Sequence, residues 1–477
     1  MRLGNLLLVK TQNKYIGYLI TIIIYLLLFE SIFRKWVMPG LSSAIAMIKV
    51  PLLVILLFLI ARKGIHFSKI SLAFFYLGIA AFITALFWGH HNIYVALWGC
   101  YPYLISIPVG YAIAKYLKED DIERIGNLFV IVAFVNVAIT AIQFNLPLDH
   151  FLNKTTWDEK EALAASKGYS VDELAGGFRP RGLFMITFQS NFIMQVGYAF
   201  FLYFGLIKRK YPYWFVALGA IFLFTNGIFS VSRGFFLNVG LLIAFLTWAL
   251  WDKIKTYNKL ISFSTVFAIL ALPTILATPI FSSAINNMST RFSNAAETNG
   301  AEGRDLKETI HGSLNDMYWR FLGQNIKAVT HPETLDGNDV PFWGYGSGLS
   351  TQAASKFMKM EKHSGFALAE GDIMRIMCEC GYLIGWAIVF LRYYFWMRYI
   401  PHLGTFKNKR YYLSLCMLIP CITGFLFSQW GNQFMMCFIP ITISLFVAAL
   451  RIEREKNESN EQIKEPALYE TQQQYIR

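Results

Sequence analysis

Apolar runs of about 18 residues or more, the length a helix needs to cross roughly 30 Å of hydrocarbon, recur along the whole chain. They fall near Tyr15–Phe33, Leu41–Ala61, Ile70–Trp88, Tyr94–Lys115, Ile122–Phe144 and Ile186–Ile207. Further runs lie near Tyr213–Phe229, Phe235–Trp251, Leu260–Phe281, Gly381–Arg398, Tyr411–Phe427 and Phe434–Leu450. In lipid no water satisfies a backbone N–H or C=O, so such spans must be helices. The expected fold class is an all-α polytopic membrane protein with about 12 transmembrane helices and a large, partly helical outer loop between helices 9 and 10. Composition agrees: 55% of the 477 residues are hydrophobic and 15% charged, against about 25% charged in a soluble domain. The first run lacks a small-residue cleavage pattern, so it reads as a true span rather than a signal peptide.

Charge orients the spans. Basic residues occupy every second connection: Arg2/Lys10/Lys14, Arg62/Lys63/Lys69, Lys115/Lys118/Arg124, Lys208/Arg209/Lys210, Lys253/Lys255/Lys259, Lys407/Lys409/Arg410 and Arg451/Arg454/Lys456. The positive-inside rule makes these connections cytoplasmic and puts both termini inside. The net charge of +13 is thereby read as topology, with no nucleic-acid partner. Residues 1–281 then hold helices 1–9, with an outer loop near 145–185. Residues 282–380 form the large outer loop, 381–450 hold helices 10–12, and 451–477 form a cytoplasmic tail. No internal repeat or glycine-interrupted helix pair suggests an alternating-access carrier.

Against this orientation some cations stand on the unexpected side: Arg34 and Lys35 after the first span, Arg179 and Arg181 before the sixth, and Arg233 between the seventh and eighth. An arginine fork matches phosphate oxygens and cannot lose its charge. Several beside the membrane are what a lipid-linked diphosphate would need. Each alone could instead snorkel to headgroups or pair with a carboxylate, as Glu30 offers Arg34. Glu361, His363, Asp372 and Glu379 supply acid–base groups before the tenth span, and histidine is the usual base near neutral pH. The run Trp343-Gly344-Tyr345-Gly346-Ser347-Gly348 predicts a tight, exposed turn whose N–H groups could approach an anion, but no Walker lysine follows. Asp336-Gly337-Asn338-Asp339 has the composition of a turn more than of a cation site. Cys378 and Cys380 form a lone C-x-C, weak grounds for a metal; the other four cysteines lie in or beside apolar segments and read as small hydrophobes.

Three stretches together resemble the O-antigen polymerase and O-antigen ligase superfamily of bacterial membrane glycosyltransferases. Arg179-Pro180-Arg181-Gly182-Leu183-Phe184 is similar to that family's R-x-x-G-x-F segment, and Ser230-Val231-Ser232-Arg233-Gly234 to its S-x-SR-G turn. The glycine turn at Gly344, Gly346 and Gly348 is followed by Lys362-His363-Ser364 and then by Glu379-Cys380-Gly381-Tyr382-Leu383-Ile384-Gly385, in the family's order. The likeness covers roughly Phe178 to Arg398. It departs at Met185-Ile186-Thr187-Phe188, where a proline is frequent, and at Ser364, where asparagine is.

The resemblance implies a multi-pass protein of the bacterial inner membrane that transfers glycan from a polyprenyl-diphosphate carrier to an acceptor glycan at the outer face. The products would be O-antigen, capsule or exopolysaccharide. It implies no cofactor and no metal, a chain-length regulator as a partner, and inversion by single displacement. The diphosphate leaving group would be held by Arg179, Arg181, Arg233 and Arg320, with His363 as base or orienter of the acceptor hydroxyl and Glu379 beside it. Competing readings are a ligase, whose donor chemistry is the same, and a polysaccharide flippase or other carrier.

Overall fold

The computed structural model describes residues 14–64, 67–147, 150–153, 180–258, 323–334, 338–351, 372–426 and 428–476, with short pieces between 262 and 358. The described residues form helices and no named strand. In order they are α1 (Lys14–Ile32), α2 (Ser42–Ala61), α3 (Lys69–Phe87), α4 (Ile93–Tyr101), α5 (Ile107–Tyr116), α6 (Glu119–Phe144) and α7 (Thr187–Leu202). There follow α8 (Tyr213–Phe229), α9 (Arg233–Ala249), the short α10 (Gln324–Thr330), α11 (Asp372–Met397), the short α12 (Leu403–Asn408), α13 (Tyr412–Leu426) and α14 (Met435–Ile476). Among the described residues, 8 helical stretches are long and apolar enough to cross a membrane, and α8, most of α9 and α13 are shorter apolar helices. Most of the predicted Leu260–Phe281 span lies outside the described residues.

The bundle is apolar inside and out. Phe129, Phe200, Phe204 and Leu445 are buried, while Phe58, Phe87, Phe390 and Met397 face outward and exposed. A helix hydrophobic all round is stable only where its outer face meets lipid or more protein. Pro102 cannot donate to the helix ladder, and there α4 passes into α5 through a π turn, Pro102–Ser106. A second π turn, Phe33–Val37, ends α1 and carries Arg34 and Lys35.

The basic connections meet at one end of the bundle. Lys208 binds Glu119 and Glu123 at 2.9 Å each, Lys210 binds Glu123 at 2.7 Å, and Lys456 pairs with Glu119. Arg451 donates to the Leu117 carbonyl at 2.6 Å, and Glu453 caps α13 by accepting from the Leu413 and Ser414 amides at 2.8 and 3.0 Å. For Lys208 burial works against the charge, but Glu123 and Glu119 outweigh it and hold the ammonium above its ordinary pKa. Connections of the other kind, after α1, between α3 and α4, before α7, between α8 and α9, and between α13 and α14, converge at the opposite end.

Two features of that end add to the sequence expectation. Gly381, where a transmembrane span is predicted to begin, has φ +70 and breaks α11. Residues Asp372–Cys380, assigned above to the outer loop, therefore form a helical arm folded back against Gly381–Met397: Asp372 pairs with Arg392. Secondly, α13 has only 15 residues, about 22 Å at 1.5 Å per residue, well short of the roughly 30 Å of a full crossing. The connection to α14 is consequently sunk into the bundle, and Trp430 within it is fully buried.

Candidate functional site

The turn before α7 is built by other helices. Gly182 takes φ +62, which glycine adopts without penalty. The Gln143 amide of α6 grips its peptide on both sides, accepting from Gly182 N at 2.8 Å and donating to Gly182 O at 3.1 Å. Leu183 N donates to Asn136 Oδ1 at 2.9 Å. From α1's π turn, Lys35 Nζ donates to Gly182 O at 3.0 Å. Arg181, in this turn, donates to the Met185 carbonyl at 3.1 Å. A Cβ on Gly182 would overlap Asn136 Oδ1 and lie 2.6 Å from Thr140 Oγ1. Gly182→Ala is therefore expected to destabilise the protein by at least about 1–3 kcal/mol of backbone strain, lowering the thermal midpoint of detergent-solubilised protein. An unchanged midpoint would contradict this account of the turn.

Lys35 does not snorkel: its side chain is 1% exposed, because the π turn rotates it inward onto the Gly182 carbonyl. Arg34 does pair as weighed above, with Glu30 at 2.9 Å, and also reaches Ser42 Oγ at 3.0 Å. The second oxygen of Glu30 pairs with Lys49 of α2, also fully buried. Arg181 lies near enough to Lys35 for the two charges to repel. Arg34 and Lys49 thus share Glu30, while Lys35 and Arg181 meet at the Gly182 turn.

The first turns of α7 join this group to the others. Gln189 Oε1 accepts from Ser31 at 3.3 Å and from Met185 N at 3.2 Å. Ser190 accepts from Asn136 at 2.9 Å, and Asn136 also donates to Asn226 of α8 at 3.2 Å. Asn191 donates to Ser232 at 2.7 Å. Ser232 caps α9, accepting from Phe235 N, so Arg233, the first residue of α9, stands at the same end as Arg181. This cap follows from the sequence: serine before a helix start satisfies an orphan N–H.

The glycine turn is tight but not exposed. Gly344, Gly346 and Gly348 all have positive φ, and the turn docks into the break in α11. Tyr345 N and Gly346 N donate to the Cys378 and Glu379 carbonyls at 2.9 Å each, and Tyr382 N donates to Phe342 O at 2.9 Å. These donors are committed to the helix break, which corrects the expectation that they approach an anion. Gly344 allows this approach, since a Cβ there would lie 2.6 Å from Glu379 O. His90 Nε2 contacts Ser347 O at 3.0 Å from the other side. Glu333 and Asp339 form an isolated antiparallel bridge; Asp336 and Gly337, between them, lie outside the described residues. Cys378 Sγ donates to the Glu333 carbonyl at 3.6 Å.

Glu379 holds this arrangement together. One oxygen accepts from Ser350 N at 3.0 Å and from the Ser350 hydroxyl; the other accepts from Arg375 at 2.7 Å. Arg375 also binds Asp372 at 2.7 Å, and Asp372 pairs with Arg392. Two carboxylates and two guanidiniums thus neutralise one another inside the bundle. Removing one partner of such a buried set strands the other charge, at a cost of several kcal/mol.

Of the residues singled out from sequence, Arg181 and the backbone of Arg233 come to one end, and Glu379 belongs to the glycine-turn assembly. His363, Glu361, Arg179 and Arg320 lie outside the described residues. Sequence reasoning missed Lys49, Arg375, Arg392 and Gln143. The available signal was a charged or amide residue inside an apolar run, which is costly unless it has a purpose. No family model, curated protein or solved structure matches the chain.

Proposed function

We propose that the protein is a glycosyltransferase that polymerises oligosaccharide units from a polyprenyl-diphosphate carrier at the outer face of the bacterial inner membrane. The observation that supports this most is the convergence on the first turns of α7. Through Ser31–Gln189, Lys35–Gly182 and Asn191–Ser232, three arginine-bearing segments far apart in sequence are tied to one end of the bundle. A diphosphate leaving group gains charge as the bond to the sugar breaks, and preorganised cations stabilise that charge most when water is excluded. In the reaction the acceptor hydroxyl oxygen attacks the anomeric carbon, the bond from that carbon to the diphosphate oxygen breaks, and polyprenyl diphosphate leaves. The hydroxyl proton passes to His363. Arg181 and Arg233, with Arg179 and Arg320, clamp the diphosphate; Arg34 and Lys49, set against the single carboxylate of Glu30, leave the surrounding field positive. Glu379 acts as a positioning residue for the glycine turn, since both its oxygens are engaged.

Purified protein given the lipid-linked glycan and no nucleotide is expected to release polyprenyl diphosphate and to lengthen the glycan. Absence of both products would refute the assignment. The reading also requires the basic end to be cytoplasmic. Alkaline phosphatase fused after Lys210 should be inactive, and fused near Gly300 it should be active. The reverse pattern would put the cation cluster on the side where no outer-face acceptor exists.

A further inference from the structure

The connection between α13 and α14 reads Ser428-Gln429-Trp430-Gly431-Asn432-Gln433. It lies below the rim of the bundle end that carries the cations. Trp430 packs on Phe74 of α3 and on Tyr103 in the π turn between α4 and α5, with ring centroids 5.8 and 5.7 Å away. Both contacts fall well inside their spans. Irregular backbone at such depth is tolerated only where protein buries it or water reaches it. Here burial and exposure alternate along the connection. Ser428, Trp430 and Phe434 are buried, whereas Gln429 is exposed and Gly431, Asn432 and Gln433 are part-exposed.

The buried residues fix the connection. Arg392 stacks over the Trp430 ring at 4.1 Å and donates to Ser428 O at 2.9 Å. Trp430 N donates to Asp372 at 3.2 Å, and its indole N–H donates to Phe425 O at 2.9 Å. The connection also borders both charge groups. Gln433 Nε2 reaches Met47 Sδ in α2 at 3.5 Å, two residues along the chain from Lys49. A Cβ on Gly431 would lie 3.5 Å from Arg375 Nη1. Arg375 is 6% exposed, and its Nη2 has no hydrogen-bond partner among the described residues. A buried guanidinium nitrogen without a partner has lost its water without compensation, which an incoming oxygen atom would restore.

We infer that Ser428–Gln433 is the floor of the glycan subsite, where the side-chain amides of Asn432 and Gln433, with Arg375 beside them, bind sugar hydroxyls of the lipid-linked glycan. Carboxamides both donate and accept, which is what vicinal hydroxyls require; a diphosphate would call for cations instead, and those lie at the neighbouring cluster. The inference rests on the glycosyl-transfer reading and adds to it the place of the sugar.

Gln433→Cys tests it with a membrane-impermeant thiol reagent added from outside. The six native cysteines are buried, and the unsubstituted protein supplies the background. Labelling is expected in cells unable to load the first sugar onto polyprenyl phosphate. It should be several-fold slower in cells that make the lipid-linked glycan. No labelling in either strain, or equal rates in both, overturns the floor assignment. Asn432→Cys gives the same readout if the first variant fails to accumulate. Polymer formation by the unsubstituted protein is measured in parallel. If polymer forms while labelling is indifferent to the glycan, the floor is wrong and the transfer reading stands. If no polymer forms, the transfer reading fails and takes the floor with it.

Discussion

His363→Ala is expected to lower turnover by roughly 10²–10⁴, the usual worth of a positioned general base, with little loss of lipid-donor binding. The acceptor hydroxyl must shed its proton as it attacks, and the described carboxylates near by are not free to take it. Asp372 is paired to Arg375 and Arg392, and Glu379 to Arg375 and Ser350. If His363 is the base, activity falls as the pH drops through the histidine's pKa, because the protonated imidazole cannot accept. That acid limb should vanish in the alanine variant. A histidine that merely packs the loop behaves differently: His363→Gln would restore size and hydrogen bonding and with them full activity. Full rescue by glutamine, or an acid limb unchanged without His363, removes the base role and makes Glu361 the next candidate.

Arg233→Lys is expected to cost 10²–10³ in rate, about 3–4 kcal/mol, while the protein still inserts and accumulates. Lysine keeps the charge but not the planar fork that meets two phosphate oxygens at once. The local fold should survive, because the start of α9 is held by Ser232, whose hydroxyl accepts from Phe235 N and from Asn191. A purely topological cation would tolerate the exchange. Polymer of near-normal length and yield in the lysine variant would therefore return Arg233 to a structural part and leave the clamp to Arg179, Arg181 and Arg320.

The apolar runs placed the described long helices because hydropathy over a bilayer's thickness is a long, redundant signal. The beginning of the tenth span at Gly381 and the tightness of the turn at Gly344, Gly346 and Gly348 also followed from local chemistry. What could not be read was where a turn ends up. Nothing local says that the glycine turn docks into a broken helix, since its partners, the Cys378 and Glu379 carbonyls, are backbone groups every residue carries. Nor does the sequence say which way Lys35 points. One π turn rotates it from headgroups to the Gly182 carbonyl, and a single added residue per turn leaves no compositional mark. The depth of Ser428–Gln433 was hidden for a related reason. A span of 15 residues and one of 19 look alike when boundaries are uncertain by a few residues, but their ends differ in depth by about 6 Å. Lys49 and Arg392 were legible in principle, as charges inside apolar runs; their partners Glu30 and Asp372 required the fold.

The most direct test of outer-face glycosyl transfer is deletion of the gene, with surface polysaccharide length read on a gel and the lipid-linked intermediate assigned to a leaflet. The account predicts surface glycan reduced to a single repeat and lipid-linked units accumulating on the outer leaflet. Long polymer left unattached would replace polymerisation with ligation while keeping the same donor chemistry. Polysaccharide of unchanged length, or lipid-linked units held on the cytoplasmic leaflet as loss of a flippase would leave them, would contradict it.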